Sequence, residues 1–280
     1  MALNRDLVGK KSDPLSFSYT WRDAILYALS VGAKDDELDY VFEQRGPKVL
    51  PTFAVVPSFN ALVAVVGGLN LANPLKALHG EQKIICHRPI APGGKLTTVA
   101  EIKGIYDKGK GGLVVVEAKT VDEKNEPVFD NVFSVFCVGE GGFGGDKQPE
   151  QAIPEPPAGQ APDFKVTEAT AREQALLYRL NGDFNPLHAD PQMARMVGYE
   201  RPILHGLCTF GFAGRALLRS ACGGDARKLR SFGARFAKPV LPGATLTTEG
   251  WQVAPGTYAV RVTTQEGTQV LTNGVAEVAS

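Results

Sequence analysis

The chain has 280 residues, 44% of them hydrophobic, and its 30 basic residues balance 30 acidic ones. That length and apolar content can fill one large core or two ordinary ones, and two domains is the better reading. The evenly spread charge leaves no electrostatic footprint for nucleic acid or for an anionic membrane surface.

In chain order, the opening "MALNRDLVGKKSDPL" lacks the apolar centre of a signal peptide. Thr20 followed by Asp23 has the spacing of a capping box, so a short helix is expected from there to about Leu29. "TFAVVPSFNALVAVVGGL", residues 52–69, has the length of a helix and is apolar on most faces, which calls for burial. His79-Gly80 has no acid–base partner in its half and reads as a decoy, while His87 is most simply a strand or turn residue. "KLTTVAEIKGIYD", "GGLVVVEAKTV" and "NVFSVFCV" are strand-like and separated by short Gly, Asp and Asn turns, the pattern of an antiparallel sheet. A Gly- and Pro-rich stretch to residue 163 reads as a linker.

The second half repeats the first. "PIAPGGKLTT" from Pro89 returns as "PVLPGATLTT" from Pro239, and "TWRDAILYAL" from Thr20 is echoed by "TAREQALLYRL" from Thr170. Two matches at nearly one offset indicate a duplicated unit. Thr170 and Glu173 again have capping-box spacing, for a helix ending near Leu180. "LCTFGFAGRALLRSA", residues 207–221, is the second buried helix, followed by the strand-like "TLTTEGWQV", "TYAVRVTT" and "QVLTNGVAEV". Each unit is thus a buried helix wrapped by a curved antiparallel sheet, in an α+β fold.

The halves differ most at "GDFNPLH". Aligned at Tyr27 and Tyr178, the first half places Gly32, Lys34 and Glu37 opposite Asp183, Asn185 and His188. An imidazole with an ordinary pKa of about 6.5 can accept a proton at working pH, and a carboxylate five residues away on a turn can share the same water. Asn185 can fix that turn, and Pro186 sets its backbone. The competing reading makes these ordinary turn residues with His188 as their partner. Further on, His205-Gly206 precedes the buried helix, so free N–H groups near Gly206 offer an oxyanion hole. Gly206 could equally serve close packing. For His205, catalytic, structural and ligand roles stay open, with a structural one favoured. No HxxxH or HExxH spacing supports a metal.

These residues resemble the hydratase 2 group of the MaoC-like family, the (R)-specific 2-enoyl-CoA hydratases, whose signature runs from a tyrosine to Gly-Asp-x-Asn-Pro-Leu-His. Here it stands as Tyr178 followed by "RLNGDFNPLH", with "GYERPILHGLCTFG" resembling the segment that follows. The resemblance covers essentially the whole chain and implies a double hot-dog fold. Residues 1–140 would form a unit without the catalytic motif, housing the acyl chain, residues 141–163 the linker, and residues 164–280 the catalytic unit. It implies Asp183 and His188 as the catalytic pair, Asn185 as their support and the Gly206 amide in the oxyanion hole. Tyr178, His205, Arg235 and Lys238 are the expected substrate-binding residues, with Arg235, Lys238 or alternatively Arg201 as partners for coenzyme A phosphates.

The implied reaction is reversible hydration of trans-2-enoyl-CoA to (3R)-3-hydroxyacyl-CoA, with no metal or other cofactor. The expected partner is an acyl-CoA, with acyl carrier protein as an alternative carrier, and the expected assembly is a homodimer. Hot-dog units also host thioesterases, and a non-catalytic acyl-thioester binding module is a third reading. No apolar run reaches the roughly 18–20 residues of a membrane span, and "AEVAS" at the C-terminus is not an SKL-type signal, so a cytoplasmic protein is expected. Cys86, Cys137, Cys208 and Cys222 lie far apart without a CxxC pair and read as reduced thiols.

Overall fold

The computed structural model of the chain describes residues 3–150 and 152–279. The first unit runs β1 (Leu15–Tyr19), α1 (Trp21–Ser30), α2 (Leu38–Val41), α3 (Val55–Gly67), β2 (Ala77–Cys86), β3 (Gly94–Asp107), β4 (Gly111–Val121) and β5 (Pro127–Val138). The second runs β6 (Phe164–Ala169), α4 (Gln174–Tyr178), α5 (Pro191–Met196), α6 (Gly206–Ser220), β7 (Leu229–Phe236), β8 (Thr245–Ala254), β9 (Thr257–Thr264) and β10 (Gln269–Val278). The strands join in one antiparallel sheet in the order β1-β3-β4-β5-β2-β7-β10-β9-β8-β6. Read inward from either edge, each unit has the same order, and the two meet at β2 and β7. At that seam Lys83 lies opposite Gly233, its own equivalent in the repeat. This is the pair of helix-and-sheet units that the duplicated pattern implied, arranged as the α+β double hot-dog that the resemblance implied.

The strong alternation of β3, β4, β8 and β9 turns one sheet face toward a helix. In the first unit Ala61, Leu62 and Val65 of α3 share a core with Ile102, Val114, Val116 and Phe133. In the second, Phe210 of α6 stacks on Phe232 of β7 with ring centroids 4.4 Å apart. Full burial of each such side chain stabilises by about 1.5–3 kcal/mol. α6 also packs on the first unit, where small residues let it approach: a Cβ at Gly214 would lie 2.4 Å from Thr52 Cγ2, and one at Gly211 2.4 Å from Val31 Cγ1.

The two helix starts expected to match do not. At α1 the capping box forms: Thr20 Oγ1 accepts the Arg22 N–H at 3.3 Å and Asp23 accepts the Thr20 N–H at 2.7 Å. In the second unit Thr170 Oγ1 instead donates to the Ala244 carbonyl at 2.8 Å and accepts the Gly243 N–H at 3.0 Å. That hydroxyl is committed to the turn before β8, so Glu173 caps nothing and α4 begins only at Gln174. Between β5 and β6 the described residues form no helix or strand. The early part is pinned to the first unit, where Asp107 accepts the N–H groups of Gly142 and Gly144 at 3.0 and 2.6 Å. Among the described residues no helix is long and apolar enough to cross a membrane. All four cysteines are free thiols.

Candidate active site

After α4 the chain makes a single 3-10 turn and stops at Gly182, whose φ of 115° suits a residue without a Cβ. Asp183 follows, its Oδ1 accepting the Asn185 N–H at 3.2 Å. Asn185 then caps the next 3-10 turn, Pro186–His188, by accepting the Leu187 N–H at 3.0 Å, with Pro186 at the first position where its missing N–H costs nothing. This local code delivers His188 inward, buried, with Nδ1–H donating to the Ile203 carbonyl at 2.8 Å. The Nε2 lone pair is thereby left for the site, the arrangement a general base requires.

Asp183, His188 and His205 each bring a side-chain nitrogen or oxygen within 4.8 Å of the others. Burial raises the Asp183 carboxyl above its ordinary range, opposed by the imidazole of His188, and burial lowers the His188 imidazole, opposed by the Ile203 carbonyl and Asp183. The two shifts move the proton affinities of the pair toward each other. The rings of His188 and His205 stack, 3.7 Å between centroids and 26° between planes.

α6 opens directly beyond His205, whose carbonyl accepts the N–H groups of Cys208 and Thr209 at 3.1 and 3.3 Å. The N–H groups of Gly206 and Leu207, in the first turn, have no intrahelical acceptor and lie at the positive end of the helix dipole. A Cβ at Gly206 would stand 3.0 Å from the Phe236 ring, so glycine serves close packing here as well as backbone access.

These groups face one cavity of about 770 Å³, within the range of small-molecule sites of about 300–1,000 Å³. Asp183, Asn185, His188 and Gly206 line it, together with Phe236 to Val240 after β7. The first unit supplies a further part of the wall: Phe59, Leu62, Val63, Val66 and Gly67 of α3, and Leu78 and His79 of β2.

Of the expected substrate-binding residues, only Lys238 lines the cavity. Arg235 does not, because it alternates to the opposite side of β7 from Phe236 and is exposed. Tyr178 and His205 are buried and do not line it either, Tyr178 packing on His205 at 4.9 Å. Conversely His79, which the sequence reading set aside, does line it, with its ring edge against Phe236 at 4.9 Å. Nothing in "KALHGEQK" signals that position; only the meeting of β2 with β7 creates it. Glu37, opposite His188 in the repeat, is engaged by the buried Arg215 of α6, which also pairs with Glu168.

Residues 17–139 match the family model described as the MFE-2 hydratase 2 N-terminal domain, and residues 154–277 match the MaoC like domain. The chain is 41% identical over 291 aligned positions to the 3-hydroxyacyl-thioester dehydratase Y of Mycobacterium tuberculosis, covering 99% of each chain. The chain belongs to the MaoC-like hydratase 2 family. It is also 39% identical over 280 positions to "Probable enoyl-CoA hydratase 2" of Dictyostelium discoideum, covering 97% of this chain and 95% of that one. Among solved structures, the MaoC-like dehydratase from Phytophthora capsici superimposes with a TM-score of 0.90 at 32% identity, over 99% of this chain and 98% of that one. The signature motif of this MaoC-like chain is present once, in the second unit, while residues of both units line the cavity.

Proposed function

We propose that the Asp183–His188 pair and the start of α6 carry out reversible hydration of trans-2-enoyl-CoA to (3R)-3-hydroxyacyl-CoA. The chain is thus a hydro-lyase of fatty acid metabolism. One observation carries the assignment of roles: an acid–base pair and the free first-turn amides of a buried helix face the same cavity, whose longer wall is apolar. The thioester oxygen accepts the Gly206 N–H, which draws electrons from the β-carbon and stabilises the enolate as it forms. Water between Asp183 and His188 loses a proton to the pair as its oxygen bonds to the β-carbon, and the pair returns a proton to the α-carbon. Asn185 supports this by fixing the turn, and Lys238 is placed to meet the carrier. In this reading the carrier is coenzyme A or acyl carrier protein, and the protein works as a homodimer in the cytoplasm.

The first unit houses the acyl tail, in the space between α3 and the start of β2. The experiment follows loss of enoyl absorbance and release of thiol with trans-2-enoyl-CoA substrates from C4 to C16. Absorbance loss without thiol, abolished by Asp183→Asn and by His188→Gln, is the expected result. Thiol release would mean thioester hydrolysis instead. Turnover restricted to C4 would overturn the tail-housing role.

A further inference from the structure

We propose that His205 is a positioning residue, which holds the catalytic turn and the oxyanion end of α6 in one fixed geometry; the proposal rests on the hydratase reading of the site. His205 is 1% exposed and is not among the residues lining the cavity, so it sits behind the wall. It does touch both members of the pair. Its Nε2–H donates to the backbone carbonyl of Asp183 at 3.2 Å, and its ring lies face to face with His188. Tyr178 packs against the same ring.

Its backbone meanwhile starts α6, since its carbonyl takes two first-turn N–H groups and the next residue is Gly206. One residue therefore links three parts of the site: the carboxylate, the imidazole and the amide donor. Displacing any of these by about 1 Å is expected to cost about 100-fold in rate.

The chemistry of the ring suits that task. Burial and the neighbouring His188 drive its pKa down to about 2, so it stays neutral and takes no proton from the pair. A neutral face tolerates His188 when that ring becomes a cation, whereas a second cation there would repel it. Its Nδ1 is buried without a partner among the described residues, a penalty that folding alone would select against.

Three substitutions separate the contacts. His205→Phe keeps a flat ring without the donor, His205→Gln keeps an N–H donor without the ring, and His205→Ala keeps neither. Hydration of crotonyl-CoA is measured per folded molecule, with urea unfolding in parallel. The expected result is a kcat loss of about 10–100-fold in His205→Ala, a KM change within about threefold, and partial recovery in each of the other two variants. Nitrogen-15 spectra of the imidazoles supply a readout independent of turnover. The tautomer and titration of His188, which faces Asp183 and His205, should change in all three variants. Wild-type kcat per folded molecule together with an unchanged His188 spectrum would overturn the proposal. So would a loss confined to KM. An inactive wild-type protein would instead count against the hydratase reading, and the spectra would still decide the positioning role.

Discussion

Tyr27 and Tyr178 occupy the same place in the two units and lie against each other, with ring centroids 6.2 Å apart. Ser30 and Asn181 are likewise equivalent, and Asn181 Nδ2 donates to Ser30 Oγ at 2.9 Å. Equivalent residues touch only along a two-fold axis, so these pairs, with Lys83 and Gly233, trace the pseudo-symmetry of the fused chain. The symmetry fails one step further out. Tyr178 leads on to His205 and the pair, whereas Tyr27 leads to Phe53, 5.6 Å away.

Asp183→Asn should abolish activity and raise stability together. On the proposed mechanism, removal of this carboxylate lowers kcat by about 100-fold or more. Because burial raises the carboxyl's pKa in the folded state, the native chain binds its proton more tightly than the unfolded chain does. Wild-type stability therefore falls as pH rises from the ordinary value of 3.8 through the folded value, and an amide is spared that loss. Urea midpoints at pH 8 should be higher for the variant and converge with wild type in acid. A lower midpoint at pH 8 would contradict the burial account.

Gly214 is one of two glycines at which α6 closely approaches the first unit. Gly214→Ala should cost about 1–3 kcal/mol, because its methyl would overlap Thr52 Cγ2. Thr52→Ser removes that atom, so the double variant should recover most of the loss. Additive effects in a double-mutant cycle would show that the overlap is relieved elsewhere.

Arg215 is 1% exposed and pairs with both Glu37 and Glu168, joining the units through charge. It also donates from Nε to the Val31 carbonyl at 3.1 Å. Arg215→Met would leave two carboxylates facing each other in the interior, with only Arg219 near at 3.7 and 3.9 Å. The expected loss is about 3–5 kcal/mol in denaturant unfolding. A loss below about 1 kcal/mol would mean that Arg219 replaces it.

His79 makes stability depend on pH. Burial lowers its pKa from 6.5 to about 4, so between those values the unfolded chain binds more protons than the folded one. Stability should then be full above pH 6.5 and decline as the pH falls toward 4. His79→Gln keeps a donor for the Glu81 carbonyl, which accepts from Nε2 at 3.1 Å, and should flatten that decline. Chemical unfolding at several pH values checks it; parallel curves for both proteins would remove His79 as the cause.

Much of the fold was readable because its signals are local. Six strands followed from alternation and turn residues, and each lies within a few residues of its expected place, as β4 at Gly111–Val121 shows. β2 and β7 were not read as strands. Their seam is covered by neighbours on both edges, and the polar Gln82 and Ser231 occupy buried positions, which hides the apolar alternation that marks a half-buried strand. The turn carrying Asp183, Asn185 and His188 was legible for the same local reason, since its caps and Pro186 are written in adjacent residues. What a residue faces across the fold was not. Arg235 and Lys238 look interchangeable in "ARFAKPV" until strand alternation separates them, and Arg215 gives no sign in sequence that its partners lie in two different places along the chain.

The seam between β2 and β7 has a consequence for how such a molecule can change. In a dimer of identical chains, every substitution appears on both sides of the axis at once. Here the cavity is bounded by α3 on one side and α6 on the other, and each is encoded separately. A new side chain at Val63 or Gly67 can reshape the far end of the cavity while the amides at Gly206 stay as they were. Covalent duplication thus lets the two walls of the cavity change independently of each other.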